Sequence, residues 1–174
     1  MFDRLRLWTK IMLMMGLAIG GVGAVLTFTN LTNLTRVVQH AERSALSAHY
    51  QAIANAVAAE SRTAQALASL VASLPLVQEK FDAGDRKALS DVFVPGFKSL
   101  VQDVGIEQFQ FHTAPATSWL RVHLPAKFGD DLSTFRHTVV QSNQTQKPVR
   151  GLEGGVAGLG VRGVVPVQHH GRHV

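Results

Sequence analysis

Ile106-Glu-Gln-Phe-Gln-Phe-His112 and, past a turn at Ala114-Pro115, Ser118-Trp-Leu-Arg-Val-His-Leu124 are the two stretches that decide the fold class. Both alternate with a period of two. In the first, Phe109 and Phe111 fall on one face, and Gln108, Gln110 and His112 on the other. In the second, Leu120, Val122 and Leu124 face one way, while Trp119, Arg121 and His123 face the other. Two half-buried strands joined by a short turn predict an antiparallel pair. Everything upstream has the period of a helix.

Residues 30–74 contain neither glycine nor proline and are rich in alanine. Leu31, Leu34, Val38, Ala41, Ala45, Ala48, Ala52, Ala56, Ala59, Ala66 and Leu70 recur mostly at steps of three and four, which is one helix face. Such a seam serves either a long helix packed on its own domain or a homodimer interface running toward a membrane. Leu74-Pro75 ends this helix, because a residue before proline resists the helical region. Asp85 is a fitting N-cap for a second helix through about Val104, with Pro95-Gly96 kinking it and Gly105 stopping it.

Downstream, Gly129-Asp130-Asp131 predicts another helix start, with Leu132, Phe135 and Val139 as its apolar face. Val149–Glu153 and Val161–Val167 read as two further strands, separated by Gly154, Gly155, Gly158 and Gly160. The order of helices and antiparallel strands makes an α+β domain.

The chain has 174 residues, enough for one ordinary domain and a membrane segment. Its 46% apolar content is high beside 17% charged residues, and much of the excess lies between Ile11 and Thr29, where there is no charge. That run is long enough to cross a bilayer, with Trp8 at headgroup level. Arg4, Arg6 and Lys10 flank only its N-terminal side, which predicts a cytoplasmic N-terminus and an exported remainder. A cleaved signal peptide is the competing reading, but the apolar run continues through Val25, Leu26 and Phe28 without a polar cleavage region. The net charge of +5 is therefore partly topological, and no basic stripe interleaved with aromatics points to nucleic acid. With no cysteine, disulfides, thiolate metal sites and cysteine nucleophiles are excluded.

Phe109-Gln-Phe-His, Pro115-Ala-Thr-Ser-Trp-Leu-Arg-Val-His, Phe128-Gly-Asp-Asp-Leu, Gly151-Leu-Glu and Gly158-Leu-Gly-Val-Arg-Gly-Val-Val-Pro-Val together resemble the Cache sensor domain. The double-Cache form of bacterial methyl-accepting chemotaxis proteins and sensor histidine kinases is the most similar. The resemblance spans about residues 30–174. It implies a PAS-like antiparallel sheet behind a long N-terminal helix, periplasmic ligand binding, and signalling through helix movement across the inner membrane. The expected organisation is a cytoplasmic start (1–10), a transmembrane helix (11–29), a long periplasmic helix (30–80) and a sensor domain (81–174). A complete receptor would continue past Val174, so the chain reads as a truncated front end.

The expected role is small-molecule sensing for a chemotaxis receptor. The sensor half of a histidine kinase and a ligand-free membrane scaffold are the alternatives. No catalytic site is expected: Gly158-Leu-Gly160 lacks the following helix of a dinucleotide fingerprint, and Asp130-Asp131 is explained by a helix start. No cofactor is expected, and no metal, since His169, His170 and His173 read as a solvated hairpin. Arg121, His123 and Trp119 share a strand face, and Arg162 is expected to point into the same concavity. Guanidinium groups grip carboxylates in pairs of hydrogen bonds, so these four residues are candidates for a small anionic ligand, an organic or amino acid. The competing reading pairs Arg121 and Arg162 with Glu153 and Asp130 as structural bridges.

Overall fold

The computed structural model describes residues 7–155 and 158–174. The basic start at Arg4 and Arg6, and residues 156 and 157, lie outside the described residues. The chain divides into two compact units, residues 1–53 and 54–174.

In the first unit the described residues are all helical. They belong to α1, Leu7–Ala72, which contains a stretch long and apolar enough to cross a membrane. Its large apolar side chains are exposed, among them Leu17, Ile19, Val25, Leu26 and Phe28. Thr27, Thr29 and Thr35 donate their hydroxyls to the carbonyls of Gly23, Val25 and Leu31, four residues back, at 2.8–2.9 Å. A hydroxyl satisfied by its own helix does not need water, so these threonines fit an apolar surround.

The second unit begins within α1 at Ala54 and continues past its end. The long helix stops at Ala72 rather than running to residue 80. Pro75 does not merely break it but opens a new helix, α2 (Pro75–Asp82), with Leu74 extended before it. Then α3 (Arg86–Ser99) starts where expected: the Asp85 carboxylate accepts from Ala88 N at 3.0 Å. Pro95 sits inside it, and a π-helical turn over Leu100–Val104 carries the chain to Gly105, whose φ of 75° ends the helix.

Strands β1 (Gln110–Thr113) and β2 (Thr117–Arg121) form an antiparallel hairpin, both shorter than their alternation predicts. Asp130-Asp131 does not open a helix. Asp131 instead forms a bridge with Thr117 and accepts from Ser133 N, and α4 begins only at His137, running to Thr145. Between them, the carbonyl of Leu132 accepts from Phe135 N and Arg136 N. This turn has near-helical spacing, so Leu132 and Val139 are buried together despite the later helix start.

Strands β3 (Val149–Gly155) and β4 (Gly158–Val164) form a second antiparallel hairpin, and β5 (Gln168–His169) with β6 (Arg172–His173) a third. The chain is thus mixed α and antiparallel β as expected. The single PAS-like sheet is not seen, however: among the described residues the strands form three two-stranded sheets.

Two cores hold the unit. Val77 and Phe81 of α2, Leu89 and Phe97 of α3, Phe111, Leu120 and Val122 form the larger. Ala116, Leu132 and Val139 form the smaller. Gly163 of β4 lies so close to Ala64 and Gln65 of α1 that a Cβ there would overlap helix backbone. Beside it Arg150 donates to Gln65 Oε1 at 3.0 Å. Glycine is what lets this strand touch the helix.

Candidate functional site

The register of the first hairpin decides which side chains meet. Gln110 pairs with Arg121 and Phe111 with Leu120, but His112 pairs with Ser118. One residue of β2, Trp119, is therefore extra, and the pairing shifts between Phe111 and His112. Such a bulge changes the phase of alternation. Trp119 joins Leu120 on the core side, edge-on to Phe81 at 4.9 Å between ring centroids. Gln110, His112, Ser118 and Arg121 fall on the other side, because directly paired residues share a face. Simple alternation had placed Ser118 and Arg121 on opposite faces.

That polar face meets charge from three other segments. Arg121 makes a two-pronged contact with Asp130, Nη1 to Oδ1 at 3.2 Å and Nη2 to Oδ2 at 2.9 Å, and Nη1 also donates to Lys127 O. On the second hairpin Arg162 stands opposite Gly151, and Glu153 lies two residues further along the same face. Arg162 Nε is 2.9 Å from Glu153 Oε2, without the alignment of a hydrogen bond. Arg136, the residue before α4, brings its Nη1 to 3.8 Å from the same oxygen. Glu153 also accepts from Thr138 N at 2.7 Å and Thr138 Oγ1 at 3.1 Å, holding the first turn of α4.

Beyond the Val149–Val164 pair at its far end, the rest of that face on β3 and β4 is glycine: Gly151, Gly155, Gly158 and Gly160. A Cβ on Gly155 would stand 2.5 Å from Arg136 Nη1 and 3.2 Å from Arg162 Nη2. Both guanidinium groups thus occupy the space above one bare backbone.

Three guanidinium groups, with the exposed Lys127 ammonium 4.0 Å from Asp130, face two carboxylates in this cluster, and Arg121, Arg136 and Glu153 are each over nine-tenths buried. Burial, then the charges of Arg136, Arg121 and Arg162, pushes His112 down to about 4, so its ring is neutral near pH 7. Burial also lowers the Arg136 and Arg162 guanidinium groups, though arginine stays charged. On partly exposed Asp130, the hydrogen bonds from Arg121 hold the carboxyl below its usual range.

Five buried polar atoms here have no hydrogen-bond partner: Gln110 Oε1, His112 Nδ1, Ser118 Oγ, Arg136 Nη1 and Arg162 Nε. Buried polar atoms are normally satisfied, so several orphans in one cluster mark a place where a ligand or water completes the bonding. The arrangement can hold a small anion between donors that already exist.

Of the four residues proposed from sequence, Arg121 and Arg162 come to this cluster, both acting electrostatically on His112. Each also makes an ion pair with one of the two carboxylates weighed from sequence, but Arg121 takes Asp130 and Arg162 takes Glu153. Trp119 is turned into the core by the bulge. His123 lies past the end of β2, its ring nitrogen 3.2 Å from Phe109 O, on a shallow open groove with Val94, Phe97, Val101 and Pro125. Sequence reasoning missed Gln110, His112, Ser118 and Arg136. For Arg136, the available signal was a charge set between Phe135 and Val139.

The terminal hairpin is separate. His170 and Gly171, with φ of 51° and 73°, make its two-residue turn, and Asp82 receives both His169 and Arg172 at 2.8 Å.

No curated protein and no solved structure matches the chain significantly. A family model of Cache type, described as the double sensory domain of two-component sensor kinase, matches residues 39–174. With the apolar stretch in α1, this suggests a membrane-anchored protein with an extracellular sensor domain. The chain belongs to this double-Cache family of sensory domains, dCache_3.

Proposed function

We propose that the chain is the input end of a two-component sensor kinase of the bacterial inner membrane, binding a small anion outside the cytoplasm. The observation that carries the ligand class is the buried surplus of cations, with donors at Arg136 and Arg162 that sit beside Glu153 but make no aligned hydrogen bond. An anion would neutralise the surplus and satisfy those donors at once. The kinase output follows the family's description. The chemotaxis receptor, the output expected first from sequence, would use the same input domain.

Arg4, Arg6 and Lys10 ahead of the apolar run support a cytoplasmic N-terminus. The exposed Leu31, Leu34 and Val38 of α1 support pairing with a second copy along the helix. Ligand binding would then bias two arrangements of the domain, as any differential binder must.

The test is thermal unfolding of the full chain in lipid nanodiscs against small anions and neutral isosteres. Stabilisation by one anion class, lost in Arg136→Ala, is the expected result. Stabilisation by neither set in a cooperatively folded protein refutes the reading.

A further inference from the structure

The orphaned atoms are of two kinds, and the difference narrows the ligand. Arg136 Nη1 and Arg162 Nε are cationic donors, suited to a carboxylate. Gln110 Oε1 is an acceptor, and the Ser118 hydroxyl can both donate and accept. They lie on the polar face of the first hairpin, on which Arg121 also stands. A bare hydrocarbon chain would leave them unsatisfied, whereas a hydroxyl can donate to one and accept from the other.

The carboxylates within the cluster exclude the other common polar substituent. Glu153 Oε1 is taken by Thr138 N, and Oε2 by Thr138 Oγ1, with Arg162 and Arg136 beside it. Both Asp130 oxygens are taken by Arg121. An ammonium group would find no free counter-ion and three guanidinium groups for neighbours. The charge balance points the same way: three guanidinium groups and the exposed Lys127 outnumber the two carboxylates, and a zwitterion brings no net negative charge.

We infer that the site takes a short hydroxy monocarboxylate, its carboxylate between Arg136 and Arg162 and its hydroxyl on Gln110 and Ser118. This inference rests on the anion-site reading above and assigns its ligand class. Arg121, already doubly bonded to Asp130, positions the polar face.

Lactate, propionate and alanine differ only in the hydroxyl, hydrogen or ammonium at one carbon, so they separate these terms. Their affinities are measured by calorimetric titration of the full chain in nanodiscs, beside the anion panel. The expected result is lactate binding at least about tenfold tighter than propionate, with no detectable binding of alanine. In Ser118→Ala combined with Gln110→Leu, the ratio of lactate to propionate affinity falls toward one. Equal binding of propionate, or binding of alanine as tight as lactate, overturns the hydroxy-acid assignment and leaves the anion site standing. So does failure of all three where another anion binds. Failure of every anion with a cooperatively folded protein overturns both.

Discussion

Glu153 and Arg162 project from one face of the β3–β4 hairpin, Oε2 and Nε 2.9 Å apart, and the same carboxylate holds the first turn of α4 through Thr138. One side chain therefore ties a strand, a helix start and two arginines together.

Removing that charge is expected to be severe. Glu153→Gln leaves Arg136 and Arg162 buried without their shared counter-ion, which costs on the order of 3–5 kcal/mol. Urea unfolding of the variant measures it. A loss below about 1 kcal/mol would mean that water already solvates these arginines.

The pair of Arg121 and Asp130 is asymmetric, because Arg121 is 7% exposed while Asp130 is only partly buried. Asp130→Asn, which leaves a buried guanidinium without its counter-ion, should therefore cost more than Arg121→Met, which leaves a carboxylate that water can reach. Midpoints of chemical denaturation for the two variants check the order.

Acid should weaken the fold before the carboxylates titrate. His112 titrates near 4 in the folded protein and near 6.5 when unfolded. Between those values the unfolded chain takes up a proton that the folded one refuses, so stability falls as pH drops from about 6.5 to about 4. The loss is on the order of 3 kcal/mol and flattens below that. Unfolding free energies across this window should show the slope, and His112→Asn should remove it.

Two glycines separate structure from site. Gly163→Ala sets a Cβ against the backbone of Ala64 and Gln65 and should cost about 2 kcal/mol or more. Gly155→Ala meets only the tips of Arg136 and Arg162, which can swing aside. Its melting temperature should stay within about 2 °C of the parent. The anion-induced stabilisation should nevertheless shrink, as a thermal-shift titration would reveal.

What could be read in the sequence was local. The Asp85 cap and the Gly105 stop each depend on a few neighbouring residues, and both stand as expected. The partners of Arg121 and Arg162 were legible as a possibility, because Asp130 and Glu153 were the acidic residues at hand. Asp130-Asp131 misled because Leu132, Phe135 and Val139 keep helical spacing across a turn that is not yet helix. The site itself was hidden by one residue. Alternation assigns Ser118 and Arg121 to opposite faces, and only the pairing of His112 with Ser118 reveals the bulge that unites them. Cross-strand register is a long-range property, and no window along β2 contains it.

The glycine floor of the second hairpin gives the site an unusual way of changing. Gly155 and Gly160 lie beneath the guanidinium groups and contribute no side-chain shape of their own. Room there is set by what is missing, so selectivity can be tightened by adding a methyl group at a single position. The reverse route, carving space out of a packed wall, would cost stability at every step.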